Sequence, residues 1–160
     1  MAAAAIIAGI IFSLFIFTTP GSPRQLADQY IKEKFQRLGV NMGGKEDNKQ
    51  AGLRLYNEGN LVEALQQFEK LIQSDTSDFT AKKYAGIVFL RLKEYDKALM
   101  YFKQLETYTL QSNPGLFYQA LTLMERNQPG DAGHAKQLLQ QVVQNDLEEK
   151  KAAQEWLRKL

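Results

Sequence analysis

Residues 51–71 read AGLRLYNEGNLVEALQQFEKL, and residues 85–105 read AGIVFLRLKEYDKALMYFKQL. Shifted by 34 positions, the first stretch lands on the second with Ala51 on Ala85, Gly52 on Gly86, Ala64 on Ala98, Leu65 on Leu99, Phe68 on Phe102 and Leu71 on Leu105. Leu53 with Ile87, Leu55 with Phe89 and Leu61 with Tyr95 are conservative matches at the same shift. Self-similarity at a fixed period of this length marks a repeat architecture, in which each repeat is one supersecondary unit. Leu61, Leu65, Phe68, Leu71 and Ile72 fall on one helical stripe, as do Tyr95, Leu99, Phe102 and Leu105. Gly59-Asn60 and Lys93-Glu94 mark the turn inside each unit, and Asp78 or Ser77 caps the helix that starts near Phe79. The expectation is an all-α fold.

Further along, Asn113-Pro114 predicts a helix start, with Asn as N-cap and Pro at the first helical position. Leu116, Ala120, Leu123 and Met124 continue it as a stripe, and Asn127 to Asp131 form a longer turn than in the other units. If Ala135 stands where Ala64 and Ala98 stand, three residues have been inserted, and Leu139 and Val142 replace Phe68 and Leu71. A final helix over 147–160, capped by Asp146 and carrying Leu147, Ala152, Trp156, Leu157 and Leu160, covers the exposed end of the array.

The period and the small/large pattern resemble the tetratricopeptide repeat (TPR), a unit of two antiparallel helices. Gly52, Gly86, Ala64 and Ala98 match the small residues that let paired helices approach closely in that family. Phe68, Phe102, Leu61 and Tyr95 match the large ones, while Thr76 and Leu110 stand where the family often ends a unit with Pro. The resemblance implies a short right-handed TPR-like solenoid of about three helical hairpins. Its repeats span about 45–78, 79–112 and 113–146 of a 45–160 domain, with a pre-repeat helix before them and the capping helix after.

Upstream, Ala2 to Thr19 is an uncharged, mostly apolar run that would span about 27 Å as a helix, close to the hydrocarbon thickness of a bilayer. Pro20, Gly21 and Pro23 stop it. No basic region precedes the run, and its Thr-Thr-Pro-Gly-Ser exit offers no small-x-small cleavage site, so residues 1–20 read as one transmembrane anchor rather than a cleaved signal. Arg24, Lys32, Lys34 and Arg37 follow it, which by charge alone places the repeats in the cytoplasm. The anchor together with YNEGNLVEAL, YAGIVFLRLKEYDKAL and NPGLFYQAL resembles single-pass envelope TPR proteins of Bacteroidetes-type bacteria. That resemblance implies the opposite orientation, with a cytoplasmic segment before an inner-membrane helix and the repeats in the periplasm. Residues 21–44 form an amphipathic pre-repeat helix carrying Leu26, Tyr30, Ile31, Phe35 and Leu38, then a Gly39, Gly43-Gly44 linker. A helix covering the first repeat is the favoured placement. Docking into the array's own groove and lying on the membrane surface are the alternatives.

Composition excludes much chemistry. The 160 residues contain no Cys and a single His, so thiolate sites, Cys nucleophiles and two-imidazole sites are ruled out. Twenty Lys+Arg against 18 Asp+Glu give a net charge of +2, too small to argue for nucleic acid. His134 has no second His beside it in the sequence, the glycines of 39–44 lack a phosphate-binding Gly-Lys-Ser/Thr ending, and no nucleophile–base arrangement is present. No enzyme, cofactor, metal or small-molecule substrate is expected.

What remains is a binding face. In TPR proteins the first helix of each unit lines a concave face that holds peptides. The resemblance implies a groove of Lys49, Leu53, Tyr56 and Asn57 from the first unit, Lys83, Tyr84, Ile87, Leu90 and Arg91 from the second, and Phe117, Tyr118, Leu121 and Glu125 from the third. Of the basic and Asn clamp that chaperone-binding members use for a C-terminal carboxylate, only Lys49 fits, since Leu53, Tyr84, Pro114 and Tyr118 hold its other positions. An aromatic, aliphatic groove with a basic rim suits an amphipathic helix or an apolar peptide. The alternative is that these residues are covered by the pre-repeat helix or pack between units. The expected function is a membrane-tethered protein–protein interaction scaffold. An assembly or chaperone-like factor for envelope proteins, and a structural module that makes a homo-oligomer, are the other two readings.

Overall fold

A computed structural model describes residues 21–39, 48–108 and 112–160. Among the described residues the chain is all-α, with eight helices: α1 (Pro23–Lys34), α2 (Asn48–Asn57), α3 (Leu61–Ser74), α4 (Phe79–Arg91), α5 (Tyr95–Leu105), α6 (Gly115–Arg126), α7 (Asp131–Gln144) and α8 (Lys150–Leu157). None of them is long and apolar enough to cross a membrane. The span expected over 1–20 lies outside the described residues.

Helices α2 and α3, α4 and α5, and α6 and α7 pack as successive pairs, and each pair rests on the next through α3–α4 and α5–α6. The 34-residue period is physical. Gly59, in the left-handed region at φ +88, closes α2, with its N–H on the Tyr56 carbonyl (3.0 Å) and the Asn60 N–H on the Leu55 carbonyl (2.9 Å). Lys93, at φ +61, closes α4 with the equivalent bonds to Leu90 (3.0 Å) and Phe89 (2.9 Å). Both turns are the αL helix ending that satisfies two orphan carbonyls at once. Inside the first two pairs a glycine faces a ring. A Cβ at Gly52 would lie 2.7 Å from the Phe68 ring, and one at Gly86 2.5 Å from that of Phe102. Ala64, Ala98 and Ala135 are fully buried, as are Leu139 and Val142.

Two boundaries differ from expectation. Helix α6 starts at Gly115, not at Pro114, because the buried Asn113 side chain has a second task. Its Oδ1 accepts from the Gly115 N–H (2.9 Å) while its Nδ2 donates to the carbonyls of Leu105 (2.6 Å) and Tyr108 (2.8 Å), tying the new helix to the end of α5. Helix α8 starts at Lys150 rather than Leu147. Asp146 does not cap it. It takes φ +52 to close α7, with the Leu147 N–H on the Val142 carbonyl (3.1 Å), and its carboxylate pairs with Lys150 Nζ (2.7 Å).

Helix α1 is opened by a capping box, Ser22 Oγ accepting from the Gln25 N–H (3.3 Å) and Gln25 Oε1 from the Ser22 N–H (2.9 Å), with Pro23 in the first turn. It does not cover the first pair. It packs along α6, because its apolar stripe of Leu26, Ala27 and Tyr30 is buried there. This makes α6 a central helix, with Gly115 and every residue from Phe117 to Glu125 buried.

Candidate functional site

The face built by the first helix of each pair is filled by the chain's own segment 23–38. Tyr30 packs on Phe117 of α6 (ring centroids 5.1 Å) and edge-on against Trp156 of α8 (5.6 Å). Phe35 stands edge-on to Tyr118 of α6 (5.2 Å) and to Tyr30 (5.6 Å). Ring pairs at these distances and tilts are favourable beyond the area they bury.

After Lys34 the segment leaves the helix, and its backbone is held by three side chains. Arg91 Nη1 donates to the Phe35 carbonyl (2.6 Å), and the Tyr56 hydroxyl donates to the same oxygen. Arg91 Nη1 also donates to Tyr56 Oη (3.1 Å), with the guanidinium 5.3 Å from the Tyr56 ring centre. Asn57 grips Leu38 on both sides, its Oδ1 accepting from the Leu38 N–H (2.7 Å) and its Nδ2 donating to the Leu38 carbonyl (2.8 Å). Such bonds read backbone rather than side chains, and the Arg91 cation sits at the negative end of α1.

At the opposite end, Glu125 of α6 is 7% exposed and lies 3.9 Å from Arg24 in the first turn of α1. Glu125 Oε2 has no hydrogen-bond partner. Burial pushes the Glu125 carboxyl above its ordinary range, Asp28 of α1 adds to the rise, and Arg24, Lys93 and Lys32 pull it back. Burial likewise raises the Tyr30 and Tyr118 hydroxyls, which therefore stay protonated.

The residues expected on the groove divide into three groups. Tyr56, Asn57, Arg91, Phe117, Tyr118 and Glu125 all touch the 23–38 segment. Leu53, Ile87, Leu90 and Leu121 are buried in the common core beneath them. Lys49, Lys83 and Tyr84 are half-buried. Tyr84 packs on Phe68 of α3 (5.3 Å) with Lys83 Nζ 5.5 Å from its ring. Sequence reasoning missed Trp156 as a wall of this site, giving it only the place of an end cap. The signal available was the Leu26, Tyr30, Phe35 stripe, whose aromatic size matches aromatic rather than aliphatic neighbours.

A second groove of about 620 Å³ lies open between α5, α6 and α7, lined by Leu99, Met100, Leu116, Leu123 and Leu138 among others. At its edge Arg126 chelates Asp131 (3.0 and 2.7 Å) and reaches Asp96 of α5 (2.7 Å), and its bonds hold the Asp131 carboxyl below the usual range. Among the described residues, no group of three or more His, Asp or Glu side chains is placed to hold a metal ion, and His134 is exposed. No family model, no curated protein and no solved structure matches this chain.

Proposed function

We propose that this chain is a protein-interaction scaffold of the tetratricopeptide-repeat type, tethered to a membrane by residues 1–20. Its ligand face is the one formed by the first helices of the three pairs, and it acts by binding rather than catalysis. The TPR reading is supported by the recurrence of the turn bonds and glycine–ring contacts at a 34-residue spacing. The tether reading is supported by the uncharged run Ala2 to Thr19. An inner-membrane location with periplasmic repeats follows from the resemblance to envelope TPR proteins and belongs to the same proposal.

One observation carries the choice of face. A helix followed by a non-helical tetrapeptide already lies across α2, α4 and α6, with two aromatic anchors and three side chains bonded to its backbone. A surface that holds such a segment in cis has the shape and bonding groups to hold one in trans. The test uses the full chain in detergent micelles carrying Phe35→Ala, which loosens the resident segment, and a labelled synthetic peptide of residues 22–39. Saturable binding is expected, at least tenfold weaker to the unsubstituted chain, where the tethered segment competes at high effective concentration. No binding to either form would end this reading.

A further inference from the structure

The resident segment leaves part of its site unsatisfied. Glu125 is nine-tenths buried, yet Oε2 has no partner, and the nearest cation, the half-exposed Arg24, stands 3.9 Å from the other oxygen. The residue one turn further along α1 is Asp28, exposed and paired with Lys32 (3.3 Å); its charge has the same sign as that of Glu125 and adds to the burden on that carboxylate. A carboxylate desolvated this far is costly unless it is paired and hydrogen-bonded. Position 28 therefore adds a like charge near Glu125 where a counter-charge would relieve it. At the other end of α1, Arg91, Tyr56 and Asn57 are fully engaged with Phe35 and Leu38.

Resting on the reading of this face as a peptide site, we propose that its partner is an amphipathic helix with a Lys or Arg at the position held here by Asp28. Glu125 is the specificity-determining residue that selects it. The partner displaces segment 23–38. It keeps the same polarity, because Glu125 lies at the positive end of the bound helix and Arg91 at the negative end, each complementing the helix dipole. A second copy of this chain fits less well than such a partner, because its own 23–38 would leave Glu125 Oε2 unmet and bring the same Asp28. It would also have to outcompete a segment tethered through only residues 39–47.

The experiment compares two synthetic peptides of residues 22–39, one native and one carrying Asp28→Lys, on the full chain in micelles and on the same chain with Phe35→Ala. Each is repeated with Glu125→Gln, whose thermal melt confirms that it folds. The Asp28→Lys peptide should bind at least tenfold more tightly than the native one, and Glu125→Gln should shrink that gap to less than twofold. Equal binding of the two peptides to the Glu125 chain, or a gap that survives Glu125→Gln, overturns the proposal while leaving the face a peptide site. Failure of both peptides on Phe35→Ala would remove the peptide site itself. Sedimentation showing a dimer dissolved by free native peptide would make a second copy the occupant and overturn the choice of partner.

Discussion

Gly86 shows how much a single missing Cβ holds in place. A Cβ here would lie 2.5 Å from a ring atom of Phe102, and Phe102 is fully buried with Tyr118 packed on its ring at 5.3 Å. Alanine normally improves a helix by up to about 1 kcal/mol over glycine. Here the ring has nowhere to go, and overpacking costs about 1–3 kcal/mol. Gly86→Ala should therefore lower stability by about 1–2 kcal/mol in urea melts, with Gly52→Ala behaving alike against Phe68. Adding Phe102→Leu should recover part of the loss in a double-mutant cycle. A stabilised Gly86→Ala would show that the pair is looser than this. Glu125 makes a second case at this scale. Burial holds its carboxyl above the ordinary carboxylate range, so the fold favours its protonated form more than the unfolded chain does. The stability linked to it is present below the unfolded value and is lost as pH rises through the raised folded one. Charges facing it come from α1 (Arg24, Asp28, Lys32) and from Lys93. Glu125→Gln should gain stability relative to wild type as pH rises from about 4 to 7, read by urea melts across that range. A constant difference across that range would remove Glu125 as the titrating group.

Helices α2, α4, α6 and α7 are closed by residues in the left-handed region, and the chain uses different residue types for the same geometry. Gly59 meets φ +88 without strain, whereas Lys93 holds φ +61 with a full side chain, a conformation that costs a non-glycine residue roughly 1 kcal/mol. Lys93→Gly should then stabilise by a few tenths to 1 kcal/mol, and Gly59→Ala should destabilise by about 1 kcal/mol, measured by thermal melts of the two variants. Opposite signs are the informative result, since both residues close the same turn. Asp146 and Asn127 do the same work at φ +52 and +54. This is also where sequence rules reach their limit. The 34-residue period was legible because Gly52, Ala64 and Phe68 recur with Gly86, Ala98 and Phe102 within local helical pairs. Asp146 before a charged, amphipathic run has the look of an N-cap, but the preceding helix needed it first, and α8 starts later. The seat of α1 was not legible either. Its stripe tells that one side is buried, but the partner is α6, about 90 residues away, chosen by ring against ring. The binding residues Asn57 and Arg91 could be placed on the face from the repeat register, but their use on backbone groups of Phe35 and Leu38 depends on that long-range docking.

Arrays of helical pairs ordinarily consist of nearest-neighbour contacts alone, so stability adds up along the chain and ends fray independently. Segment 23–38 breaks that pattern here. A continuous run of rings passes from Trp156 of α8 to Phe117 of α6 (4.8 Å), to Tyr30 and Phe35 of the segment, to Tyr118 and on to Phe102 of α5. Backbone bonds from Asn57 and Arg91 add α2 and α4 to the same body. The beginning and end of the described chain are thereby joined across the middle, and their local openings should be coupled. Tyr30→Ala removes the ring that touches both Phe117 and Trp156, a loss on the order of 3–5 kcal/mol for a buried aromatic. Amide hydrogen exchange on the full chain should show α1 and α8 losing protection together, by at least a hundredfold, while α3 and the α4–α5 pair keep theirs. The two ends are far apart in sequence, so simultaneous loss reports the contacts of α1 with α6 and α8, in which Tyr30 touches both Phe117 and Trp156. If α8 stays protected when α1 opens, Trp156 is held by Phe117 and α7 alone, and the resident segment can leave its face without loosening the rest. That outcome would make displacement by a partner local and cheap, whereas coupled loss predicts that a partner which replaces 23–38 must restore the Tyr30 contact to keep α8 in place.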